Sequence, residues 1–117
     1  MLAVTAARAA AEKQAERPVI LDVRDLIVIT DCFVIASGTS DRHVRTIADA
    51  VEEAIRGIGR KPLRREGETD GRWLLLDYVD VVVHVFAQEE RDFYDLERLW
   101  LDAPRIAWDV QDEVLPG

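Results

Sequence analysis

Between Ser40 and Gly59 the apolar residues Val44, Ile47, Ala48, Val51, Ala54, Ile55 and Ile58 recur at spacings of three and four. On a helix this makes a single apolar stripe, which must be buried against another layer. Just before it stands Cys32-Phe33-Val34-Ile35-Ala36, an unbroken apolar run too short for a helix core and suited to a strand covered on both faces. Ser37-Gly38-Thr39-Ser40-Asp41 separates the two. Thr39 or Ser40 caps the first-turn amides, and Asp41 suits the positive helix end. Gly57 and Gly59 supply a stop, with Arg60 and Lys61 at the negative end. A buried strand feeding a one-sided helix requires a layered α/β domain.

The flanking segments complete such a domain. Ala3 to Glu16 is rich in helix formers, with Pro18 as its stop. Val19 to Val23 reads as a strand, and Leu26-Ile27-Val28-Ile29 as its extension or a packed connection. Leu63 to Glu68, Arg72 to Tyr78 and Asp80 to Ala87 read as a three-stranded antiparallel meander, with a hairpin signal at Asp70-Gly71. Arg91 to Leu101 reads as one helix with Phe93, Leu96 and Trp100 on a shared face. The expectation is one α/β domain over residues 1–103, with a mixed sheet of about five strands flanked by helices. Residues 104–117 read as an acidic C-terminal tail.

Charge narrows the classes of function. The 117 residues carry 15 Lys or Arg and 23 Asp or Glu, a net charge of −8. Residues 1–65 hold 11 basic and 9 acidic side chains, whereas residues 66–117 hold 4 and 14. Direct nucleic-acid binding needs a basic patch for the phosphates, so this balance argues against it. An acidic half suits either solubility or a basic partner. The single cysteine, Cys32, forms no internal disulfide and no zinc site. With no apolar run near the roughly 18 residues of a spanning helix, a soluble cytoplasmic protein without a membrane partner is expected.

No constellation of catalytic or metal-binding residues stands out. Asp80 and His84 share one side of a strand but lie about 13 Å apart along it at roughly 3.3 Å per residue, too far for one ion. Ser37-Gly38 opens a helix but lacks the lysine and spaced glycines of a phosphate loop. Cys32 sits in an apolar run, where a thiol behaves as a small hydrophobe. No cofactor and no metal are therefore expected. Trp73 is more informative, opening a strand that ends in Asp77 and Tyr78. Exposed aromatic residues on a strand commonly anchor protein interfaces, although most tryptophans simply pack under a helix.

Read in order, these residues resemble a known family. Ile29-Thr30-Asp31-Cys32-Phe33-Val34-Ile35-Ala36-Ser37-Gly38-Thr39-Ser40 with Arg42-His43-Val44 is similar to the central signature of the ribosomal silencing factors, the Iojap-like proteins. Asp77 and Asp80-Val81-Val82-Val83-His84-Val85-Phe86 resemble a second signature. Tyr94, Leu96-Glu97 and Leu99-Trp100 resemble the C-terminal helix. The resemblance spans about Val19 to Trp100.

It implies a nucleotidyltransferase-like fold without catalysis. It also implies docking on the large ribosomal subunit through ribosomal protein L-fourteen, which obstructs joining of the small subunit and lowers translation. Some members are dimeric when free. The docking face implied on this chain comprises Trp73, Leu75, Asp77, Tyr78, Asp80 and His84. One departure matters: the family usually has Gly-Asp at a turn where this chain has Val79-Asp80, and a β-branched residue pays heavily for the positive φ that glycine takes freely. Two other readings are a nucleotidyltransferase-like enzyme, with Ser37-Gly38 as phosphate turn and Asp77 or Asp80 as Mg²⁺ ligands, and a plain dimerisation module using Trp73 or Trp100.

Overall fold

The apolar stripe forms the buried side of a helix, α2 (Asp41–Gly57), in a computed structural model that describes residues 1–67 and 70–109. Ser40 is its cap, with the hydroxyl accepting the His43 N–H at 3.0 Å. Val44, Ile47, Val51 and Ile55 are fully buried, each contributing roughly 1.5–3 kcal/mol of apolar burial. The apolar run before it is β2 (Cys32–Gly38), an interior strand of a five-stranded sheet.

The other elements are α1 (Leu2–Glu12), β1 (Glu16–Asp22), β3 (Arg64–Glu66), β4 (Trp73–Asp77), β5 (Val81–Ala87), α3 (Gln88–Tyr94) and α4 (Leu96–Leu99). The strand order is β1-β2-β5-β4-β3. Only β2 and β5 pair in parallel, and the crossover between them contains α2 and the β3–β4 hairpin. The expected mixed five-stranded α/β domain and its antiparallel meander are present.

α1 and α2 cover one sheet face, packing on Ile20, Val34, Leu74, Leu76, Val83 and Val85. The opposite, outer face gathers a smaller cluster of Leu21, Val23, Ile35 and Phe86, against which Leu96, Trp100 and Ala103 pack. This second cluster covers only part of the outer face. The half toward β4 and β3 stays open.

Several local expectations are corrected. The first helix stops at Glu12, not Glu16, because pairing of Glu16 with Ser37 demands extended backbone there. Pro18 lies inside β1 and does not end the helix. It is accommodated because β1 is the terminal strand of the sheet and carries an irregularity between Glu16 and Val19, with Arg17 at φ 47°. Leu26 to Ile29 neither extends the strand nor packs throughout: Ile27 packs on the outer cluster, while Val28 and Ile29 face solvent.

The third helix is two short ones, broken at Asp95 in the left-handed conformation (φ 47°, ψ 55°). The break turns Leu96 and Trp100 onto the sheet and leaves Phe93, expected on the same face, exposed. Arg91, buried in α3, ties the break together through Glu97 at 2.9 Å. The expected tail opens with a segment bonded along β1. Asp22 N–H donates to Pro104 O, Ile106 N–H donates to Ile20 O, and the Trp108 indole N–H donates to Pro18 O at 2.9 Å. Residues 110–117 and the end of the expected strand at Glu68 lie outside the described residues.

Candidate functional site

Strand alternation sorts β4 into two sets. Leu74 and Leu76 are buried under α2, while Trp73, Leu75 and Asp77 are half-buried on the open outer face. Their partners on β5 are Phe86, His84 and Val82 in turn. Trp73 lies between Phe86 and Tyr94, with ring centroids at 4.8 and 4.6 Å. Its indole N–H donates to His84 Nδ1 at 3.1 Å. His84 in turn meets the edge of Phe33 at 5.2 Å, and Phe33 meets Trp100 at 5.8 Å. The result is an aromatic band across the outer face, with Trp73 and Leu75 at its solvent margin.

His84 is 6 % exposed, and burial pushes its pKa down to about 4. It is a neutral support for Trp73 rather than a charged contact. Asp77 works within its own turn: Oδ1 accepts the Val79 N–H at 2.8 Å, and Oδ2 lies 3.3 Å from Arg64 Nε. Asp80 pairs with Arg60 at 3.0 Å, and the same arginine donates to Tyr78 O.

Tyr78 is corrected as a surface anchor. It is 1 % exposed and belongs to the core cluster under α2, because the alternation that buries Leu74 and Leu76 continues to place its ring on the inner face. Burial there raises its phenol pKa to about 12, with the Glu52 charge adding to the effect.

The turn answers the question posed by its missing glycine. Val79 adopts φ 77°, and Asp80 N–H donates back to Tyr78 O at 2.9 Å, a three-residue turn of the rarer, positive-φ kind. The valine is 57 % exposed, held in a conformation that costs about 1–3 kcal/mol.

The family model described as "Ribosomal silencing factor during starvation" matches residues 1–116. The ribosomal silencing factor of Halalkalibacterium halodurans is 41 % identical over 101 residues, covering 86 % of each chain. A protein of Chromobacterium violaceum, solved by X-ray crystallography, superposes with a TM-score of 0.82 at 29 % identity, covering 97 % of this chain and 93 % of that one. A mouse protein named for mitochondrial assembly of the ribosomal large subunit is 32 % identical over 90 residues, 68 % of this chain and 40 % of its own.

The chain belongs to the ribosomal silencing factor family. Its work is accordingly that of a ribosome-associated regulator of translation or assembly.

In this silencing factor part of the acidic half is paired in space. Asp77, Asp80 and Asp92 from the acidic half pair with Arg64, Arg60 and Arg17 from the other half. Glu89 and Glu90 pair with Arg72. A uniformly acidic docking face does not form from these residues.

The Ser37-Gly38 segment weighed as a phosphate turn is occupied by the protein itself. Ser37 is buried between Glu16 O and Arg91, and the Thr39 N–H donates to His43 Nδ1 at 2.9 Å. Among the described residues no three His, Cys, Asp or Glu side chains converge to hold a metal ion.

Sequence reasoning missed Phe33, Phe86 and Tyr94 as members of the band. Phe33 and Phe86 were legible as positions facing the same way as His84 once the β2–β5 register was known. Tyr94 was not, since its place depends on the helix break.

Proposed function

We propose that this protein docks on the large ribosomal subunit through ribosomal protein L-fourteen and blocks association with the small subunit, repressing translation without catalysis. The observation that supports the reading is the Trp73–Leu75 edge of the aromatic band. It is an apolar strip on an open sheet face, with Trp73 held by His84 and so ordered before any partner arrives. A preordered aromatic anchor loses little conformational entropy on binding, which is the property expected of an interface hot spot. Asp77 and Asp80 support the reading less directly, through the turn they hold beside the strip. A domain seated near the subunit interface need only fill volume that the small subunit requires. Such an activity belongs in the cytoplasm.

The test is co-sedimentation with isolated large subunits, together with light scattering during subunit joining. Trp73→Ala is expected to lower binding at least tenfold and to relieve the block on joining, with the far-ultraviolet circular dichroism unchanged. Full binding by the folded variant would take Trp73 out of the interface, and full binding without any block on joining would overturn the steric mechanism.

A second reading has its own support. Phe93 and Leu99 line one exposed hollow on α3 and α4, with Leu101 exposed just after it, an arrangement suited to a second copy of the chain when the protein is free. Analytical ultracentrifugation of Phe93→Ser with Leu99→Ser distinguishes this patch from the Trp73 strip.

A further inference from the structure

Beyond the aromatic band, at the Asp77 end of β4, a groove of about 340 Å³ opens on the protein surface. Phe33 and Val82, register partners on β2 and β5, form its apolar floor. Ile29, Leu63 and Val79 stand on its rim, each more than half exposed. Such a concentration of solvent-facing aliphatic side chains around one concavity marks an interaction site more than a solvated surface.

Thr30 lines the same groove. It is 5 % exposed, and its hydroxyl has no hydrogen-bond partner. A buried hydroxyl left in this way is destabilising unless something else supplies the bond. The strained turn at Val79 is a second unfavourable feature at the same place. Both become intelligible if an incoming chain donates to Thr30 Oγ1 and packs on Val79.

Charge specifies the incoming chain further. Of the two charged residues that line the groove, Asp77 is engaged by Arg64, and Asp80, in the turn just beyond, is engaged by Arg60. Asp31 is adjacent to Thr30 in the chain and its backbone N–H donates to Asp80 O, which places it beside them. It is exposed and makes no ion pair among the described residues. Its neighbouring cation, Arg24, is held by Asp22 at 2.6 Å, so a carboxylate without a direct ion pair stands next to an apolar groove with a buried acceptor.

We propose that this groove receives an aliphatic side chain on an extended segment of the docking partner, flanked by a lysine or arginine. Its backbone N–H bonds to Thr30 Oγ1, and its cation meets Asp31. The proposal rests on the docking reading above and extends the interface from the Trp73 strip across Leu75 to the end of the sheet.

Two measurements on the full chain test it. The first is co-sedimentation with isolated large subunits. Val82→Phe fills the groove and Leu63→Ser removes part of its rim, and each is expected to weaken binding by threefold to tenfold. Thr30→Val is expected to raise the melting temperature while weakening binding, because it removes an unsatisfied hydroxyl that the partner uses. The second is a titration of the ¹⁵N-labelled protein with the peptide Ac-Lys-Leu-Lys-NH₂, expected to shift the amides of Ile29, Asp31, Val79 and Val82.

If the native protein sediments with subunits and all three variants match it, the groove is excluded while the docking reading stands. If the native protein does not sediment, the docking reading fails. The peptide then decides the groove: saturable shifts diminished by Thr30→Val sustain it, and their absence overturns it.

Discussion

The Trp73 indole N–H donates to His84 Nδ1 across 3.1 Å, joining β4 to β5 through side chains as well as backbone. An indole nitrogen only donates, so Nδ1 carries no proton and Nε2 does. The tautomer of His84 is thereby set by its tryptophan. The bond also fixes the plane of the indole, so this half-buried aromatic side chain on the open face has a defined orientation.

This arrangement requires a neutral imidazole, which makes stability depend on pH. Burial lowers the His84 pKa to about 4, from 6.5 for the free side chain. Between those values the unfolded chain binds a proton that the folded chain does not. Stability from this residue is complete above about pH 6.5 and is lost as pH falls toward 4. At 1.36 kcal/mol per unit, about 2 kcal/mol is lost by pH 5. Urea denaturation at pH 7.5 and 5.0 is expected to show that loss in the native protein and a smaller one in His84→Gln. Equal losses in both would exclude His84 as the cause.

Val79 occupies a turn position better suited to glycine. Val79→Gly relieves a strain of about 1–3 kcal/mol and adds back roughly 0.5–1 kcal/mol of chain entropy. The expected result is a net gain of about 1 kcal/mol, seen as a higher denaturant midpoint with an unchanged slope. A less stable variant would mean that packing of the valine outweighs its backbone strain. Because Val79 lines the groove, the more stable variant is also expected to bind large subunits less well.

Arg91 is buried and meets Glu16 O at 2.8 Å, Arg17 O at 2.6 Å, Ser37 Oγ at 3.1 Å and Glu97 at 2.9 Å. Burial pushes the Glu97 carboxyl up, but the bond and charge of Arg91 outweigh it and hold the carboxyl below its usual range. Arg91→Met leaves a partly buried carboxylate and the Arg17 carbonyl without their guanidinium donor, and the Glu16 carbonyl with the Ser37 hydroxyl alone. A loss of about 3–5 kcal/mol is expected, measured by chemical denaturation. Near-ultraviolet circular dichroism is expected to weaken as α4 and Trp100 come away from the sheet. A loss under 1 kcal/mol would show that water replaces the guanidinium at little cost.

Much of the architecture was legible because it depends on local periodicity. The α2 stripe, its Ser40 cap and the apolar runs of β2 and β5 lie where spacing and capping place them. The errors fall where a distant contact outweighs local preference. Ala15 and Glu16 are good helix formers, yet pairing of Glu16 with Ser37 extends them. The residues from Arg91 to Leu101 carry a helical pattern, yet the chain breaks at Asp95 so that Leu96 and Trp100 reach the outer cluster.

The candidate site was half legible for the same reason. Trp73, Leu75 and Asp77 share a face by strand alternation alone. Tyr78 follows directly in the sequence, and the same alternation carries its ring to the covered face with Leu74 and Leu76, whereas which rings and charges meet the outer set depends on pairing with distant strands.

The sequence by itself determined the class of fold, the resemblance to the silencing factors and the side of β4 that carries Trp73, since each rests on residue spacing along one chain. Only the tertiary structure decided which charges cancel, which aromatic rings meet, and that Val79 takes a positive φ. Those depend on which residues distant in sequence become neighbours. Arg60 and Arg64, from the basic half, reach Asp80 and Asp77 only when the segment after α2 folds back beside β4. Part of the acidic half is therefore paired in space while the net charge stays at −8, and an aromatic band and an aliphatic groove are the most distinctive features of the surface.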